Sequence, residues 1–86
     1  MHPHVIRCPA VTSKSGRSRS SIYEDVARGL LPSPIKIGLR ASAWPLHEID
    51  AVIAARIAGK SHDEIRALVR QLMAARKQIE GACHEL

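Results

Sequence analysis

Glycine and proline divide this chain into short segments, and their positions limit what it can fold into. Gly16 and Gly29 each end a helical stretch. Pro32 and Pro34 prevent the second helix from continuing beyond Gly29. Only the residues after Gly59 leave room for a long helix. The 86 residues therefore predict one small domain of short helices, in which folding buries about 60–65% of the surface that the unfolded chain exposes.

The spacing of apolar residues predicts a mainly helical fold with one small β-hairpin. The expected elements, in chain order, are a strand at residues 5–6, a weak helix over 9–15, a helix over 18–28, a hairpin over 35–44, a helix over 45–58 and a long helix over 62–79. Ser61 and Glu64 form a capping box at the start of the last helix. Because the chain has no Phe and a single Trp, we expect an aliphatic core with Trp44 packed in it; stacking of Trp44 on a nucleic-acid base is the alternative.

The net charge of +5 belongs entirely to the first half of the chain. Residues 1–45 hold seven basic and two acidic side chains, whereas residues 46–86 hold six of each. An excess of positive charge on one part of a protein favours a polyanionic partner, and nucleic acid is the leading candidate. A basic surface that serves solubility alone is the other interpretation of the same charge.

The first two helices are joined by a tight turn at Gly16-Arg17, which predicts a helix-turn-helix. Such a unit offers its second helix to the major groove of DNA, where arginines and hydroxyl groups reach phosphates and base edges. The residues expected to contact DNA here are Arg17, Ser18, Arg19, Ser20, Ser21, Tyr23 and Arg28. Glu24 and Asp25 are left out because carboxylates repel phosphate unless they point away from it or accept a hydrogen bond from a cytosine amine. The alternatives are that Ser18 only caps the helix, that Tyr23 only borders the core, and that Ser20, Ser21 and the arginines are only solvated surface residues.

The hairpin predicts a wing beside this unit. Lys36, Arg40 and Ser42 flank its turn at Gly38, so the tip can reach the DNA backbone or an adjacent minor groove. A solvated, charged turn is the alternative.

The last helix carries an apolar seam that repeats every 3.5 residues. The seam consists of Ile65, Leu68, Leu72, Ala75 and Ile79. Its spacing predicts self-association, as a dimer or as a row of copies on adjacent DNA sites, because so much apolar surface would not remain bare. Folding back onto the winged core is the alternative, since only about two heptads are present.

The sequence offers little for catalysis or for a cofactor. It has no glycine-rich phosphate loop, no nucleophile motif and no Cys/His set with metal-ligand spacing. We therefore expect no enzyme activity, no cofactor and no metal. Cys8 and Cys83 are too few for a disulfide scaffold, and neither a membrane-spanning run nor a signal-peptide pattern is present. A cytoplasmic protein without a membrane partner is expected.

Three motifs along residues 7–58 match one known family in order and spacing. They are Gly16-Arg17-Ser18-Arg19-Ser20-Ser21-Ile22-Tyr23 after Arg7 and Val11, then Gly29-Leu30-Leu31-Pro32-Ser33-Pro34-Ile35-Lys36-Ile37-Gly38, then Trp44 followed by Glu48-Ile49. In these motifs the chain resembles the AlpA family of prophage regulatory proteins, and it departs from the family pattern at the packing positions Ser15, Leu31 and Val52. The resemblance implies a winged helix-turn-helix of the MerR and excisionase-like type. It also implies DNA contacts from Ser18, Arg19, Ser20 and Tyr23 on the recognition helix and from Lys36 and Arg40 on the wing.

The resemblance further implies a biological role. Such a protein would bind double-stranded DNA sequence-specifically in a prophage or integrative mobile element. It would act as an excisionase (a recombination directionality factor), as a transcriptional regulator of integrase and excision genes, or as both, in functional partnership with a site-specific integrase. The rival from another class is a protein-interaction module that binds an acidic partner. The predicted organisation is a winged domain over residues 1–60, a helix for possible self-association over 61–80 and a tail over 81–86.

Overall fold

Seven elements follow one another in the computed structural model, which describes residues 4–84 and the side chains of residues 4–77. They are β1 (Val5–Arg7), α1 (Cys8–Ser15), α2 (Arg19–Ala27), β2 (Ile35–Lys36), β3 (Ser42–Pro45), α3 (Leu46–Ile57) and α4 (His62–His84). The predicted winged helix-turn-helix with a C-terminal helix is confirmed. The last helix is longer than predicted, because it continues through Gly81 instead of ending near residue 79. A glycine inside a helix costs only about 1 kcal/mol relative to Ala.

The strands form one antiparallel sheet in the order β1-β3-β2, with β3 in the middle. β2 and β3 make the wing, and the N–H of Ile37 donates to the carbonyl of Ala41 across its turn at 3.0 Å. β1 pairs with the other edge of β3 and places Ile6 opposite Trp44. A strand at this position was predicted, but its partner was not. The pairing brings Arg7 to the base of the wing.

A tight turn joins α1 to α2. Gly16 follows α1 in the left-handed region, at a φ of 72°, which glycine adopts without the penalty of a Cβ. Its N–H donates to the carbonyl of Thr12 at 2.9 Å. Ser18 then caps α2, since its hydroxyl oxygen accepts the N–H of Ser21 at 3.2 Å. The turn therefore satisfies end groups of both helices while residues 18–20 stay exposed to solvent.

The core is aliphatic around Trp44, whose side chain is fully buried. The indole N–H of Trp44 donates to the carbonyl of Pro32 at 2.7 Å, so the polar atom of this large side chain is satisfied. The other buried residues of this core cluster come from all four helices and from the loop after α2: Val11, Ile22, Leu30, Leu31, Ile49, Val52, Ile65 and Val69. The predicted position of Trp44 in the core is confirmed.

The start of α4 has the predicted capping box. The N–H of Ser61 donates to Oε1 of Glu64 at 3.2 Å, and the N–H of Glu64 donates to the Ser61 hydroxyl at 3.2 Å. The hydrogen bond from the Ser61 backbone, followed by its side chain and by the charge of Lys60, lowers the pKa of the Glu64 carboxyl below its usual value.

The middle of α4 is held against α3 by a buried ion pair. Glu48, in the first turn of α3, is fully buried. Nε of Arg76 donates to its Oε2 at 2.9 Å, and Nη2 donates to its Oε1 at 2.6 Å. The same Nη2 also donates to the carbonyl of Ser33 at 2.8 Å. Together with the buried Ile65 and Val69, this pair folds α4 back onto the winged core of its own chain.

Candidate nucleic-acid interface

A buried carboxylate holds the helix-turn-helix to the third helix. Asp25 of α2 is only 3% exposed and lies between two guanidinium groups. Nε of Arg17, in the turn, is 2.9 Å from Oδ2 of Asp25, and Nη2 of Arg17 donates to Oδ1 at 3.2 Å. The Nε–H itself is not aligned with an acceptor, so the shorter contact is ionic. Nη2 of Arg56, from α3, donates to Oδ2 at 3.3 Å. Because a buried charge without partners is costly, this triad keeps α2 in one orientation.

Contacts among three side chains restrain the exposed start of α2. The ring of Tyr23 lies against the buried Trp44, with 5.9 Å between ring centroids and 58° between ring planes. The guanidinium carbon of Arg19 lies 5.9 Å from the centroid of the Tyr23 ring, which is within the range of a cation–π interaction. Tyr23 is 40% exposed, so it borders the core and also faces solvent. The core thereby positions Arg19 through Tyr23.

These side chains form one wall of a groove between α2 and the wing, which we call the cationic groove. Its lining residues are Arg7, Cys8, Pro9, Arg19, Tyr23, Arg40 and Ser42. The three arginines are exposed, and no carboxylate among the described side chains lines the groove. A surface with this chemistry attracts polyanions, because arginine offers a fork of donors that matches phosphate.

A second depression adjoins the cationic groove along the turn. It shares Cys8, Pro9 and Arg19 with the groove, and its other lining residues are Thr12, Ser13, Gly16, Arg17 and Ser18. Hydroxyl groups and the N-terminus of α2 therefore continue the concave surface that the arginines begin. Backbone N–H groups at a helix N-terminus favour negative ligands.

Two groups of arginines differ in their partners. Arg17, Arg56 and Arg76 pair with the buried carboxylates described above. By contrast, no carboxylate among the described side chains forms an ion pair with the three arginines of the cationic groove. The first group stabilises the fold, and the second group is free to bind a ligand.

Four of the predicted DNA-binding residues come together in the cationic groove: Arg19, Tyr23, Arg40 and Ser42. Two others, Arg17 and Ser18, line the adjoining depression. The ion pair of Arg17 with Asp25 is not among the sequence predictions, which consider the two acidic residues of α2 only in relation to DNA. Contact with DNA stays a prediction for each of these residues.

The remaining predicted residues lie outside both concavities. Ser20 is exposed on α2, and Ser21 is half-buried and accepts a hydrogen bond from the Ser18 hydroxyl at 3.0 Å. Arg28, at the far end of α2, pairs with Glu24 at 2.6 Å. Lys36 is exposed on β2. The cap function of Ser18, which was one of the alternatives, is confirmed by the geometry of the turn.

Arg7 belongs to the site and was missed as a site residue. It is one of the basic residues of the first half and marks the start of the family motif, but no local signal connects it to the wing. The connection comes from the β1–β3 pairing, in which Arg7 lies opposite Ala43. The sequence signal for this role is the position of Arg7 directly after the predicted strand at residues 5–6.

The apolar seam of α4 is divided between the core and the surface. Ile65 is buried, whereas Leu68, Leu72 and Ala75 are half-buried. Leu68 and Leu72 pack against the core cluster, and the side chain of Ile79 lies outside the described residues. This part of the seam therefore folds back onto the core of its own chain, which was the alternative interpretation. Self-association stays a prediction.

Among the described residues, no group of three or more His, Cys, Asp or Glu side chains is placed to hold a metal ion. In the same part of the chain, none of the helices is long and apolar enough to cross a membrane.

Similarity to known proteins covers the part of the chain that builds this site. Residues 4–57 match the family model described as the prophage CP4-57 regulatory protein (AlpA). Over 55 residues the chain is 40% identical to the uncharacterized protein ORF88 of Enterobacteria phage P4, and the alignment covers 64% of this chain and 62% of that protein. No solved structure matches the chain. The family match includes the helix-turn-helix, the wing and α3, and it leaves α4 outside.

Proposed function

Because the chain belongs to the AlpA family of prophage regulatory proteins, which are DNA-binding regulators, we propose that it binds double-stranded DNA sequence-specifically. The observation that carries this proposal is the cationic groove. It joins α2 to the wing, and its three arginines have no ion-pair partner among the described side chains. α2 enters the major groove, and the wing lies on the flanking DNA.

The two parts of the surface have different tasks in this arrangement. The N-terminus of α2 and Arg19 bind phosphate and set how deeply the helix enters the major groove. The exposed Ser20 faces base edges. Arg40 and Lys36 on the wing bind the sugar–phosphate backbone, which positions the protein without reading sequence directly. Tyr23 supports Arg19 and presents its exposed edge to the same groove.

We further propose that the protein serves a prophage or integrative element in the cytoplasm. It acts as an excisionase, as a regulator of integrase and excision genes, or as both, and its functional partner is a site-specific integrase. Family membership supports this role, since residues of the site do not distinguish a promoter from an attachment site. Footprinting on the attachment region and on the integrase promoter of the encoding element separates the two. Protection of repeated short sites in the attachment region favours the excisionase, and protection confined to the promoter favours the regulator.

The rival function, binding of an acidic protein partner, is tested by salt dependence. Affinity for a short duplex should fall steeply with log salt concentration, with a slope set by the number of phosphates contacted. Arg70→Ala, which removes an exposed charge on α4, serves as the matched control for Arg19→Ala in this titration. Equal affinity for poly-glutamate and for duplex DNA would count against sequence-specific DNA binding. An equal loss of DNA affinity in Arg19→Ala and in Arg70→Ala would count against it as well.

Self-association on DNA is proposed for α4. Leu68, Leu72 and Ala75 are half-buried, so they retain apolar surface that a neighbouring copy can cover. The zero charge of residues 46–86 allows close approach, whereas the basic half repels itself in the absence of DNA. Sedimentation of the free protein and of its complex with a multi-site duplex tests this proposal.

A further inference from the structure

The tip of the wing carries an apolar side chain on which nothing packs. Leu39 is fully exposed, and Ile37 beside it is half exposed. Single exposed apolar residues are common and need no explanation by themselves. Leu39 differs because it lies at the end of a hairpin, between the exposed cations Lys36 and Arg40. An apolar group bordered by positive charges suits a ligand that has both an apolar interior and an anionic exterior.

The base of this hairpin is firmly attached to the fold. β3 is the central strand of the sheet, and its Trp44 is buried and hydrogen-bonded to the carbonyl of Pro32. Across the turn, the N–H of Ile37 donates to the carbonyl of Ala41. Arg40, the residue after Leu39, lines the cationic groove together with Ser42. The tip therefore extends from the surface that is proposed to face DNA, on a strand that the buried Trp44 anchors in the core.

We propose that Leu39 enters the minor groove beside the major-groove site of α2 and inserts between two adjacent base pairs. This inference rests on the proposed function. Lys36 and Arg40 bind the phosphates on either side of the insertion, because their charges complement the backbone that borders the groove. Apolar wedges of this kind partly unstack a base step and kink the duplex by about 20–90°.

The insertion makes the DNA under the wing part of the recognition site. Pyrimidine–purine steps unstack and kink most easily, so a duplex with such a step under the wing binds best. Leu39 thereby selects sequence through deformability, at a position where no hydrogen bond to a base is required.

The test compares Leu39→Ser with Ile57→Ser. Ile57, at the end of α3, is 82% exposed and does not line the cationic groove, so its replacement removes a similar exposed apolar group elsewhere. The probe is a short duplex that the wild-type protein selects from a random pool. The bend is measured by the mobility of circularly permuted fragments. Unstacking is measured by the fluorescence of 2-aminopurine placed at successive positions under the wing.

The wild type and Ile57→Ser are expected to bend the duplex and to raise 2-aminopurine fluorescence at one step. Leu39→Ser should lose most of the bend and the fluorescence rise while still protecting the major-groove site. A wild type that binds without bending, or a Leu39→Ser variant that bends as the wild type does, would overturn the inference and leave the proposed function intact. Failure of the wild type to select any duplex would overturn both. Loss of self-association or of protein binding in Leu39→Ser, with the bend retained, would also overturn it by assigning the tip to a protein contact.

Discussion

Replacing Arg76 by Met should destabilise the fold strongly, although Arg76 lies outside the region that matches the family. Glu48 is fully buried, and two nitrogens of the Arg76 guanidinium neutralise its carboxylate at 2.9 and 2.6 Å. Met has nearly the helix propensity of Arg and a comparable unbranched stem, so the substitution changes the charge with little effect on the helix. What remains is a carboxylate in the core without a cation.

The expected loss is about 3–5 kcal/mol, the range measured when one partner of a buried ion pair is removed. A domain of this size is stabilised by roughly 4–13 kcal/mol in total, so the variant loses a large share of its stability. Since 1 kcal/mol shifts the melting temperature of a small domain by about 4–8 °C, we expect a decrease of at least about 12 °C. Urea titration followed by circular dichroism measures the free energy, and calorimetry measures the melting temperature.

Two further variants separate the buried charge from other effects. Lys77→Met removes an exposed cation from the adjacent position of α4 and should change the free energy of unfolding by no more than about 0.5 kcal/mol. The double variant Glu48→Leu with Arg76→Met removes both charges, and its stability should return to within about 1 kcal/mol of the wild type or exceed it. If Arg76→Met costs no more than Lys77→Met, the carboxylate of Glu48 is not buried in solution and the reasoning is refuted.

Four other outcomes are expected. Arg19→Ala should weaken specific binding by about 1–3 kcal/mol with an unchanged melting temperature, and an unaltered mobility-shift titration would remove Arg19 from the site. Arg40→Ala should weaken binding to cognate and random duplexes alike and lower the salt slope by about one; a loss confined to the cognate duplex would mean that Arg40 reads sequence. Leu68→Ala with Leu72→Ala should abolish cooperative filling of a multi-site duplex. Cooperativity that persists at temperatures where the variant is folded would mean that this face of α4 does not mediate self-association. Because the folded pKa of Glu64 is lowered, its contribution to stability is present above its usual pKa and is lost as the pH falls through the lowered value; the difference in melting temperature between the wild type and Glu64→Gln should therefore shrink on acidification, and a constant difference would contradict the role of the carboxylate.

The order and type of the elements followed from signals that act within a few residues. Gly16 and Gly29 ended helices through their own backbone freedom, Ser18 and Ser61 started helices through their own hydroxyls, and residues 35–44 alternated as a hairpin must. Local steric and hydrogen-bonding rules of this kind depend only on neighbours in the sequence. For the same reason the family motif, which spans residues 7–58, could be read without a structure.

The contacts between distant segments could be determined only by the tertiary structure. Arg17 and Arg19 are two residues apart and were predicted to act alike, yet Arg17 pairs with a buried carboxylate and Arg19 faces the cationic groove. The difference depends on Arg56 of α3, which approaches Asp25 from 31 residues away and makes burial of that carboxylate possible. Long-range pairing also brings Arg7 to the wing. An arginine in a sequence carries the same charge everywhere, and only the packed fold decides which carboxylates are close enough to neutralise it and which arginines remain without an ion-pair partner.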